Sequence, residues 1–164
     1  MLLVLGAMLL FSIALPSLNN AILFSESNQI VTQVENSALA VAQGYLSEAA
    51  VKTFDEVCLT SLPLIAAQLT PVADLGSDAG EYYPNFDDLD DYGDLSLVDT
   101  TAFPTIAFNV TGSVDYVDPN NPETTSASPT FVKRLRVTIT SSYLVDPASG
   151  DSLNITLQRL YAYF

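Results

Sequence analysis

The densest chemistry in this chain lies in FDDLDDYGDLSLVD, residues 86–99. Asp88, Asp90 and Gly93, with Asp94 and Asp99 behind them, follow part of a calcium-loop pattern. Its parts are alternating acids, a glycine for the sharp turn, and a closing acid several residues on. Tyr92 stands where that pattern usually supplies an oxygen, and the closing residue is the shorter Asp. Hard carboxylate oxygens suit Ca2+, so Asp88, Asp90, Asp94 and Asp99 are the candidate cation ligands. The plainer reading is a solvated acidic loop. Paired aspartates could also act as acid and base on a glycoside. An irregular segment with no pocket-forming core around it argues against that, and no enzyme is expected. Cys58 is the single cysteine, and the chain has no histidine to serve as its base. Its plainer role is that of a small apolar residue. The sequons Asn109-Val-Thr111 and Asn154-Ile-Thr156 make Asn109 and Asn154 candidate glycosylation sites.

The elements that must position these residues divide the chain sharply. It has 164 residues, a net charge of −14, and 49% hydrophobic residues. So acidic a chain, without a basic stripe, is not built to bind nucleic acid. So apolar a chain is not intrinsically disordered. Charge and hydrophobicity occupy different parts. Residues 1–25 carry no charged side chain, and the first base is Lys52. No basic n-region precedes the apolar run, as a secretory signal would require. The unbroken apolar stretch 1–15 would be about 22 Å long as a helix, short of the roughly 30 Å hydrocarbon core of a bilayer. The missing flanking Lys/Arg fits a helix that enters a membrane temporarily and ends buried against its own copies. On this reading Met1 follows a removed basic leader.

Helical periodicity continues beyond that opening. Ile30, Val34, Ala38, Val41, Ala42, Tyr45 and Ala49 recur at spacings of three and four. Residues 1 to about 53 therefore read as one helix of roughly 80 Å, loosened at Pro16. The expected division is a hydrophobic transmembrane or filament-core segment over 1–24, an amphipathic continuation over 25–53, an irregular acidic region over 54–102, and an antiparallel sheet over 103–164. In the sheet the period is two. Ile106, Phe108, Val110, Val114 and Tyr116 share one face, as do Phe131, Leu135, Val137, Ile139 and Tyr143, with Arg134, Arg136, Thr138 and Thr140 opposite. Leu153, Ile155 and Leu157 open the last strand, joined to its neighbour through DPASGD. The expected fold class is α+β: a long N-terminal helix packed on a small C-terminal sheet of three antiparallel strands.

Taken together, the apolar MLLVLGAMLLFSIALP start with its internal proline, the amphipathic continuation, SEAAVKTFDEV at 47–57 and the C-terminal strands resemble a type IV pilin-like or pseudopilin protein. The resemblance implies a structural subunit that polymerises as a homo-oligomer into a helical, extracellular type IV pilus-like filament at the cell surface. The inner membrane would hold it beforehand. A prepilin peptidase and a pilus assembly machinery would be its partners. Met1, Leu2, Leu3, Leu5, Leu9, Phe11, Ile13 and Pro16 would carry assembly. Two features differ from the family pattern: no acid occurs before Glu26, and Cys58 has no partner for a loop disulfide. A minor pseudopilin of a type II secretion-like system, and a membrane-anchored, calcium-dependent binding module, are the alternatives.

Overall fold

The computed structural model describes residues 2–103, 105–146 and 149–164, and along its first helix the side chains are described without gaps from Asn28 onward. Helix α1 runs Leu2–Ala49, with Pro16 inside it. A proline costs a helix one backbone donor and crowds the preceding turn. Here the helix nonetheless continues through it. Val34, Ala38, Val41, Ala42, Tyr45, Leu46 and Ala49 are buried. They form the apolar stripe expected of an amphipathic helix. No described residue of α1 before Val34 is buried, and Ile30, expected on the stripe, is 60% exposed.

After α1 come a single helical turn, α2 (Val57–Thr60), and three short 3-10 turns at Ala66–Gln68, Val72–Asp74 and Asp90–Asp94. The sheet follows: β1 (Ser96–Asp99), β2 (Phe108–Asp118), β3 (Asn121–Thr125), β4 (Val132–Val145) and β5 (Ser152–Ala162). Its order is β1-β2-β4-β5, with β3 paired to the end of β2, and every pairing is antiparallel. The inner face contributes Phe108, Val110, Leu135, Val137 and Ile139 to one core shared with the buried stripe of α1. The outer face is polar: Asn109 pairs with Thr140, which pairs with Asn154, and Thr111, Thr138 and Thr156 form the next row.

The expected architecture is corrected here. The sheet has five strands, begins at Ser96 and dominates the domain, so it is neither small nor confined to the C-terminus. The helical part packed on it is short, since burial on α1 begins only at Val34. The expected pilin-like proportions, a long helix laid on a small sheet, do not hold. The physical reason is the acidic segment. It does not loop away through solvent; Phe86, Leu89, Tyr92 and Leu95 enter the core, and the chain then pairs β1 onto β2. A second difference lies in β4. Pairing with β5 is irregular between Thr140 and Val145. The shift turns Tyr143 outward, at 53% exposed, and buries Leu144 in its place.

Candidate functional site

Two features depart from ordinary packing: a buried charged cluster and an uncovered apolar stem. The cluster begins with Lys133. It is the second residue of β4, in phase with Leu135, Val137 and Ile139, so alternation turns it inward with them. It is fully buried. Its Nζ donates to the Phe54 carbonyl at 2.9 Å, to Asp55 Oδ2 at 2.8 Å, and to Asp90 Oδ1. The Phe54 and Tyr116 rings flank it at 4.7 and 5.1 Å from their centroids, distances at which a ring face attracts a cation.

Two segments bring the acids to this lysine. Asp55 lies just beyond α1, where residues 53–55 run beside 87–89: Leu89 N donates to Thr53 O at 2.9 Å. Asp90 opens the last 3-10 turn. Phe86, Leu89, Tyr92 and Leu95 recur every third residue and all four are buried, with Tyr92 inside the 3-10 turn Asp90–Asp94 and Leu89 and Leu95 flanking it. They therefore point together into the core and carry the acids between them inward. Asp55, Asp88, Asp90 and Asp91 are all buried. Gly112 on β2 makes room for this turn, since a Cβ there would lie 2.0 Å from the Tyr92 carbonyl oxygen.

The acids are not equivalent. Asp55 accepts from Thr70 Oγ1 at 3.0 Å, Tyr116 Oη at 3.0 Å and Val57 N at 3.2 Å as well as from Lys133. Burial pushes its carboxyl up, but Lys133 and these donors outweigh burial and hold it below the usual carboxylate range. Asp90 lacks such support: its Oδ2 is buried without a hydrogen-bond partner among the described residues. Burial raises it to about 6 against the opposing pull of Lys133. Burial and the neighbouring charges of Asp90 and Asp91 raise Asp88 to about 8. Buried ions are tolerated only when paired. The arrangement at neutral pH is therefore an Asp55–Lys133 ion pair beside Asp88, which keeps its proton, and Asp90, raised by burial but drawn back by Lys133.

The four proposed cation ligands are not gathered around one point. Asp88 Oδ1 accepts the Asp90 backbone N–H at 2.7 Å, and Asp90 faces Lys133. Asp94 Oδ2 accepts from Ser77 N at 3.0 Å. Asp99 Oδ1 accepts both donors of Thr101 at 2.7 Å, and its Oδ2 accepts from Tyr45 Oη at 3.4 Å. A different trio, Glu81, Asp87 and Asp91, has carboxylate oxygens within 4.8 Å of one another. It could hold a hard divalent cation, and Asp91 already uses Oδ2 to accept the N–H groups of Asp87 and Asp88. Asn109 and Asn154 are exposed on the outer sheet face. Cys58 is half-buried, and burial raises its thiol.

The stem is the other departure. Met8, Phe11, Leu15, Leu18 and Ile22 are exposed by 56% or more and recur at spacings of three and four. That spacing draws one seam along a helix. Of the expected assembly residues, Phe11 and Pro16 are exposed on this stem; Met1, and the side chains of Leu2, Leu3, Leu5, Leu9 and Ile13, lie outside the described residues. Among the described residues no helix is long and apolar enough to cross a membrane. Lys133 was within reach of sequence reasoning, through its phase with the buried residues of β4. No protein-family model matches this chain, and neither does any curated protein or solved structure.

Proposed function

We propose that this chain is a structural subunit that polymerises through α1 into an extracellular filament of the type IV pilus kind, with its α+β domain facing solvent. The observation that carries this reading is the stem: the seam Met8, Phe11, Leu15, Leu18 and Ile22 is exposed on a stretch without a charged residue before Glu26. Burying each such side chain against a neighbouring subunit gains on the order of 1.5–3 kcal/mol. Gly6, Ala14 and other small residues let helices approach closely.

The test is electron microscopy of surface material from cells producing the native chain and a Leu15→Asp/Leu18→Asp variant. Filaments in the first and none in the second are expected, with circular dichroism showing that the variant's domain still folds. Monomers held in membranes, with no polymer from the native chain, would overturn the reading.

A further inference from the structure

We propose that Lys133 and Asp90 join covalently, through an intramolecular amide formed between Lys133 Nζ and Asp90 Cγ with loss of one water. The geometry supplies each part. Lys133 Nζ and Asp90 Oδ1 are in direct contact, and both side chains are sealed from solvent, at 0% and 3% exposed. A second carboxylate, Asp55, lies 2.8 Å from the same nitrogen. Asp90 Oδ2 has no hydrogen-bond partner among the described residues, so nothing holds that oxygen against departure. The Phe54 and Tyr116 rings wall the site. Fixed contact between two reactants replaces a bimolecular encounter and lowers the barrier strongly. Exclusion of water removes the reagent that would reverse the step.

The step balances within these three side chains. The Lys133 ammonium passes one proton to the Asp55 carboxylate. The freed amine attacks Cγ of the protonated Asp90 carboxyl and forms the C–N bond. Asp55 hands its proton to the departing hydroxyl, which leaves as water when the C–O bond breaks. It then takes the remaining proton from the nitrogen. One ammonium, one carboxylate and one carboxylic acid become an amide, a water and a protonated Asp55, with no oxidant or cofactor. Asp55 is well placed for this role because Thr70 and Tyr116 hold it in position. The bond would tie the acidic turn to β4, across 43 residues of chain. It does not depend on the filament reading, since it needs only the folded domain.

Mass spectrometry of the full chain after denaturation and trypsin digestion tests the proposal. Trypsin cuts after Lys and Arg, so an unlinked chain releases residues 53–133. A linked Lys133 is not cut, and the fragment becomes residues 53–134 less one water. A second digestion, cutting after Tyr92, should leave two peptides joined, one containing Asp90 and one containing Lys133. The Lys133→Met chain should carry the full sequence mass, and Asp55→Asn should retain both reactants but remain mostly unlinked. Release of residues 53–133 at their full mass from the native chain would overturn the proposal. So would loss of water that persists in Lys133→Met. The native chain alone gives the deciding mass, so the test stands even where a variant fails to fold.

Discussion

The stem and the domain reverse the usual partition of residues between surface and core. On the stem, Phe11, Leu15 and Leu18 face outward. In the domain, Lys133 and four aspartates are buried. Each departure has its own physical remedy, and the difference teaches where each remedy comes from. Buried charges find partners within the chain, because Asp55, Asp90 and Lys133 converge from three segments. Exposed apolar side chains have no such partner in the described domain, since burial on α1 ends at Val34. The cluster is therefore a device of the single molecule, whereas on the proposed reading the stem is one that needs further copies.

Substitutions can separate the two, and the largest effect is expected in the stem's assembly. Leu15→Asp with Leu18→Asp should abolish polymer while leaving the domain's unfolding temperature unchanged, as read by sedimentation and thermal melting. A fall in domain stability instead would mean that the stem packs on its own domain and would dissolve the comparison. Next comes Lys133→Met. Whether Lys133 is ion-paired or joined to Asp90, its tie to the acidic turn is lost, which should cost at least about 3–5 kcal/mol, the scale of breaking a buried pair from one side, read from denaturant unfolding. Gly112→Ala should cost about 1–3 kcal/mol, the usual scale of overpacking, because its Cβ would collide with the Tyr92 carbonyl.

Smaller effects sharpen the picture. Tyr92 Oη donates to Glu48 Oε1 at 2.9 Å, and Tyr83 Oη to Glu48 Oε2 at 3.1 Å, so one carboxylate fastens the acidic turn to α1. Tyr92→Phe removes one of these bonds and should cost on the order of 1 kcal/mol in unfolding free energy. Acidity supplies the gentlest probe. Asp88 is raised to about 8 by burial and by Asp90 and Asp91, with Lys133 opposing. The native state then holds a proton that the unfolded chain, with an ordinary carboxylate, has released. Stability should therefore rise as pH falls from about 8 toward 4, and decline again below that as Asp99, pushed up by burial but held low by its Thr101 donors, becomes protonated. Melting temperatures measured across that range check the sign. Substituting Asp88→Asn should flatten the rise.

Much of this was legible in residue patterns. The stripe Val34, Ala38, Val41, Ala42, Tyr45 and Ala49 is buried as its spacing predicts, and so are Ile106, Phe108, Val110 and Tyr116. Periodicity reports a face that meets one large partner, and these faces meet each other. It failed where the period was short or masked. Phe86, Leu89, Tyr92 and Leu95 keep a period of three among five aspartates and a glycine, and the acids concealed a core segment. Lys133 sits in phase with buried neighbours but has the wrong chemistry for a core, so only the arrival of Asp55 and Asp90 explains it. Tyr143 and Leu144 exchange places because of an irregularity in strand pairing, which no single strand can reveal. The cation ligands proposed from spacing do not gather at one point: Asp88 and Asp90 turn inward with the core segment, while Asp94 accepts from Ser77 and Asp99 from Thr101.

The most direct test of the account is whether the stem drives self-association. Full-length chain transferred from mild detergent into aqueous buffer should form filaments visible by electron microscopy, and the Leu15→Asp/Leu18→Asp chain should stay monomeric with an intact domain. A native chain that remains a soluble monomer under those conditions, with its stem exposed, would contradict it.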